Sequence, residues 1–243
     1  MNRSSRPARY NLNSLFSFNE LEKPVQVHLK NVYSTLSIGL ILACATTYLY
    51  MWSSYLQSMT TALLLLSFLG SLASTMYIYF TPHGVNTIDR RLCAFFILAT
   101  STGLGLAPLV HMVSILNPET IPTALLGSAV IFVSFSLASL LTRKRLYLFL
   151  GAALMSAITM LTTFSFMNLF IRSPAIYHAE LYIGFLIFCG FVVFDTQLIV
   201  EKRRFGDTDF VWHALDLFID FVELFRHLLM ILNSKKDRRR NEE

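Results

Sequence analysis

In the stretch HALDLFIDFVELFRHLL, His213 to Leu229, the carboxylates Asp216, Asp220 and Glu223 recur among Leu, Ile, Val and Phe. A further carboxylate in apolar company, Asp195, sits in FCGFVVFDTQLIV. A carboxylate at membrane depth costs a few kcal/mol or more, so each should face a polar partner or a water-filled cavity. For Asp195 the acidic stretch is the obvious partner, since an apolar bundle offers few other polar places. Carboxylates brought close in a low dielectric cannot all ionise cheaply, and they titrate as a unit, which makes a proton sensor. Once ionised, the same oxygens are the hard ligands that Ca²⁺ takes, and a file of carboxylates with water is a cation path.

On a helix turning about 100° per residue, His213, Asp216, Asp220, Glu223 and His227 fall within an arc of roughly 80°, opposite Phe218, Phe221 and Phe225. From His213 to His227 the stripe covers about 21 Å, most of a membrane's thickness. An amphipathic helix lying on a bilayer would share this pattern, but such helices usually carry Lys and Arg on the polar face, and this face is acidic. Arg226 is placed to pair with Glu223 one turn away. For Asp195 the plainer alternative is a structural aspartate held by Thr196, Gln197 or a water.

Other chemistries fit less well. Two aspartates on neighbouring spans could hydrolyse peptides by acid and base catalysis, yet Asp195 follows FVVF and Asp220 follows LFI, with no G-x-G-D signature. A zinc hydrolase built on His213, Asp216 and His227 lacks a third converging histidine motif. The chain therefore reads as a protein without catalytic residues or a cofactor. A protein that works purely by binding partners stays open beside the ion path.

These residues need a membrane around them. Of the 243 residues, 54% are hydrophobic and only 14% charged, with a mean hydropathy of +0.55, which points to an all-α polytopic membrane protein. Six runs are long enough to cross a bilayer: about Val32 to Trp52, Met59 to Phe80, Leu92 to Ile115, Ile121 to Leu141, Leu146 to Leu169 and Leu181 to Val200. The acidic stretch, extended from Val211 to Leu232, is a seventh candidate. The expected layout is an N-terminal segment over 1–31, a helical bundle over 32–232 and a basic tail over 233–243. Residues 1–31 lack the pattern of a cleaved signal.

Lys and Arg number thirteen in the N-terminal segment and even-numbered loops against one in the odd-numbered loops, which places the N-terminus in the cytoplasm. The formal charge of +5 gathers in clusters beside the spans, a pattern of membrane orientation rather than of nucleic-acid binding. The clusters at Arg143 to Arg145 and Lys235 to Arg240 suit contact with anionic lipid. The tail, however, would face the wrong side if the seventh segment crossed completely. Either that segment is re-entrant or its packing overrides the charge rule, and both options put it at the centre of the bundle, beside protein or water. We read it as a spanning central helix with the side of the tail open. Gly103, Gly105 and Pro108 suit a close-packing site, His111 an interfacial or buried hydrogen-bonding role, and Cys44, Cys93 and Cys189 small buried hydrophobes.

The segments LNPETIPTALLGSAVIF, RKRLYLFLGAALMSA, CGFVVFDTQLIVEK and GDTDFVWHALDLFIDFVELFR, followed by a basic tail, resemble the Bax inhibitor family of membrane proteins, near its founding eukaryotic branch. The resemblance implies six helices around a central seventh, residence in the endoplasmic reticulum membrane, suppression of cell death and a pH-sensitive Ca²⁺ leak. It also implies that Asp195 and Asp220 are the family's paired aspartates, acting as pH sensor and transient calcium ligands. Asp216, Glu223 and His213 become further candidates for lining the path. Anti-apoptotic Bcl-2 proteins and stress sensors of the reticulum are the protein partners it implies, beside the lipid bilayer.

Overall fold

The computed structural model describes residues 22–141 and 147–242; the Arg143 to Arg145 cluster lies outside them. The chain forms helices α1 (Lys23–Trp52), α2 (Ser54–Ser58), α3 (Thr60–Phe80), α4 (Ile88–Leu116), α5 (Thr120–Leu141), α6 (Tyr147–Ile171), α7 (Pro174–Arg204) and α8 (Phe210–Glu242). Six of them, α1 and α3 to α7, contain windows long and apolar enough to cross a membrane. This is an all-α polytopic membrane protein. The helices overrun the expected spans at several ends: α1 begins at Lys23 rather than near Val32, and α8 continues through the expected tail to Glu242.

α8 packs against α1, α4, α5 and α7, while α3 leans on α4 and α6 on α7. The centre is therefore ringed closely by four helices, with α3 and α6 outside the ring. Val211, Ala214, Leu217, Phe218 and Leu224 of α8 are all fully buried. Lipid is as apolar as these side chains, so close packing and polar contacts hold such a helix, rather than exclusion from water.

Small and hydroxylated residues bring the helices together. Thr47 donates to the carbonyls of Ala43 and Gly103, both at 2.9 Å, and a Cβ on Gly103 would collide with the α1 backbone at Ala43. The GLGLAP segment is thus a packing site, as its glycines suggest, and α4 continues through Pro108. Between α5 and α7, Ser139 donates to the carbonyl of Val193 at 2.8 Å. Of the cysteines only Cys189 is buried; Cys44 and Cys93 lie on the exterior of the bundle, where in a membrane a thiol costs little.

The turn leading into α8 is built with care. Lys202, Arg203 and Arg204 close α7, where cations suit the negative end of the helix dipole. Gly206 follows with φ of +97°; its N–H donates to Arg203 and that of Asp207 to Lys202, a pair of bonds that ends a helix on a left-handed residue. Asp209 then accepts the Trp212 N–H at 3.1 Å and caps α8.

Candidate functional site

Asp195 on α7 and Asp220 on α8 come together as the acidic stretch implies. Their carboxyl groups are close enough to interact directly, and Asp216 is close enough to interact with both. Asp220 is only 4% exposed, and its Oδ2 is buried with no N–H or O–H donor among the described residues. Thr196, an alternative partner for Asp195, instead faces α5, its hydroxyl 3.5 Å from that of Ser136. Two ionised carboxylates facing each other in apolar surroundings repel strongly, whereas one shared proton converts the same contact into a hydrogen bond. The arrangement can therefore take up a proton, or, opened and ionised, ligate a hard cation.

The rest of the stripe is divided among other tasks. His213 lies away from the aspartate pair, at the first turn of α8, where its Nδ1 meets Nε2 of His28 on α1 at 2.9 Å. Its Nε2 is 3.7 Å from the Asp207 carboxylate. Glu223 pairs with Arg226, Oε2 to Nη2 at 2.6 Å, the ion pair that their spacing suggests. His227 bonds the carbonyl of Glu223 at 2.8 Å and fits against Gly184 of α7, where a Cβ would strike its ring.

Four contacts were not legible in the sequence. Arg91, which reads there as one more orienting cation, is 2% exposed. Its Nη2 reaches the Asp209 carboxylate at 2.6 Å and the Ile78 carbonyl at 3.2 Å, while Nη1 meets His83 at 3.2 Å. The second is the His28–His213 contact. At the other end of α8, Asn233 accepts from the Asn117 amide at 2.8 Å, and Lys236 reaches Glu119 at 2.9 Å. The Lys236 ammonium holds the exposed Glu119 carboxyl below its ordinary range.

These end contacts decide the course of α8. It starts beside the beginnings of α1 and α4 and finishes beside the α4–α5 turn, so it runs through the whole bundle as one continuous helix, and the re-entrant alternative is set aside. His111 packs edge-to-face on Tyr50, ring centres 6.1 Å apart.

Residues 25–237 match the family described as "Inhibitor of apoptosis-promoting Bax1". The chain is 43% identical over 233 residues to a probable Bax inhibitor 1 of Paralichthys olivaceus, covering 96% of each. It is 42% identical over 235 residues to Bax inhibitor 1 of Mus musculus, covering 96% of this chain and 97% of that one. Against Bax inhibitor 1 of Arabidopsis thaliana the identity is 36% over 224 residues, 92% of this chain and 87% of the relative. With most of its length aligned to animal and plant relatives, and six long apolar helices arranged about an acidic central one, the chain belongs to the Bax inhibitor family.

Proposed function

We propose that this protein suppresses cell death from the endoplasmic reticulum membrane, and that it does so as a pH-sensitive leak path for Ca²⁺ gated by Asp195 and Asp220. The observation that carries the reading is the meeting of these two carboxyls, one on α7 and one on α8, within an apolar bundle. A purely structural contact at this point would be served as well by two amides. Carboxyls add two properties that amides lack, a titratable charge and affinity for a hard cation.

In the closed form the pair shares a proton, and α8 stays seated on α7. Changing the charge of the pair alters the force between the two helices; the oxygens that then face the opening can ligate Ca²⁺ on its way through. Asp216, one turn before Asp220, would take the next position along the path. The family's description as an inhibitor of apoptosis-promoting Bax1 supports the cell-death role. The thirteen-to-one distribution of Lys and Arg supports a cytoplasmic N-terminus. Purified protein in liposomes loaded with a Ca²⁺-sensitive dye tests the transport reading: Ca²⁺ entry that depends on the protein and on pH supports it, and entry no faster than in protein-free liposomes overturns it.

A further inference from the structure

A cavity of about 390 Å³ opens at the end of the bundle where α1 begins, between α1 and the turn joining α7 to α8. Its polar lining comprises Lys23, His28 and Asn31 from α1, with Arg203 and Thr208 from the turn region; Val27 and Phe210 supply apolar wall. The site is cationic despite the two nearby aspartates. Asp209 is taken up by Arg91, while Asp207 accepts the Asp209 N–H at 2.8 Å and stands 3.7 Å from His213. Arg203, by contrast, touches only backbone oxygens among the described residues, at Pro24 and Asp207, both at 3.4 Å. No carboxylate among the described residues forms an ion pair with Arg203 or Lys23. Two long bonds to neutral carbonyls are readily exchanged for shorter, stronger ones to an anion.

We propose that this cavity binds an anionic phospholipid through its headgroup phosphate, with Lys23 and Arg203 as the cationic arms and Asn31 and Thr208 as neutral donors. Position favours a lipid over a free anion. The cavity lies where the helices leave the apolar zone, and Val27 beside it is 61% exposed, a surface suited to the glycerol and first methylenes of a lipid. Phe205, in the same turn, is 81% exposed, as an aromatic anchor at a headgroup layer would be. Two converging cations suit a headgroup that carries a phosphate monoester, with more than one negative charge, better than a zwitterionic one.

The test uses the full chain in neutral detergent, titrated with a short-chain fluorescent phosphatidylinositol monophosphate and, separately, with the matching phosphatidylcholine. Saturable binding of the inositide alone is expected, weakened tenfold or more by Lys23→Gln with Arg203→Gln. Lys30→Gln, another exposed charge about two turns further along α1 and outside the cavity lining, should change it less than twofold. Should the double variant fail to fold, Asn31→Trp fills the cavity with every charge intact and should give the same loss. Equal binding of phosphatidylcholine, or equal loss from Lys30→Gln, overturns the proposal in favour of diffuse attraction. Displacement by inorganic phosphate or soluble inositol phosphate at the lipid's own concentration also overturns it, since the cavity would then take a free anion.

Discussion

Arg91 and Asp209, 118 positions apart in the chain, meet at 2.6 Å and tie the first turn of α8 to α4. The same aspartate caps α8 through its other oxygen, which accepts the Trp212 N–H. Asp209→Asn keeps the cap, since Asn is as good an N-cap as Asp, but leaves the buried guanidinium uncompensated. The expected cost is about 3 kcal/mol, read as a lower unfolding midpoint of the purified protein. Arg91→Leu added to Asp209→Asn should recover part of it, because the unpaired charge is gone; additive losses in this double-mutant cycle would mean that the two side chains are not coupled.

Asp220→Asn tests the gate. Asn keeps the size of a protonated Asp and most of its hydrogen bonds, so the fold should survive while the site can no longer change charge. Ca²⁺ flux in liposomes is expected to change, with its dependence on pH flattened, because one of the two carboxyls that can exchange a proton is gone. A pH profile that keeps its slope would place the sensor elsewhere.

Replacing both partners, Asp195→Asn with Asp220→Asn, separates transport from binding. If flux and its pH profile match the unmodified protein in a correctly folded double variant, the aspartate pair is a structural seam, and death suppression must rest on contacts with partners such as Bcl-2 proteins or stress sensors. Loss of the pH response together with loss of protection in cells would join the two activities.

The course of α8 predicts that the two chain ends lie on opposite sides of the membrane. Tags before Met1 and after Glu243 should differ in protease sensitivity in sealed vesicles, and equal sensitivity would contradict a crossing helix. Lys236 and Glu119 should also join through a carbodiimide-formed amide. The ammonium lowers the Glu119 pKa, so the ion pair is intact above the ordinary carboxylate value of 4.5 and is lost as pH falls through the lowered one. Lys236→Gln should abolish the cross-link without altering the helical content.

Gly206 offers a test of the turn alone. Its φ is +97°, and a Cβ built there meets nothing within 4 Å. Gly206→Val should therefore cost about 1–2 kcal/mol through backbone conformation rather than collision, again as a lower unfolding midpoint.

The sequence by itself determined the membrane class, the long apolar helices, the amphipathic seventh and the residues able to carry charge in its interior. Each of these follows from local composition and helical periodicity, which survive whatever the helices pack against. The Glu223–Arg226 pair was legible for the same reason, being three residues apart on one helix. Tertiary structure decided what spacing along the chain cannot: that His213 turns to His28 rather than to the aspartates, that Arg91 is buried against Asp209, and that α8 crosses completely to bring Asn233 and Lys236 beside the α4–α5 turn. An Arg at the start of a span looks the same in sequence whether it meets water or a carboxylate. Only the packing of α4 against α8 removes the water and leaves Asp209 as its partner.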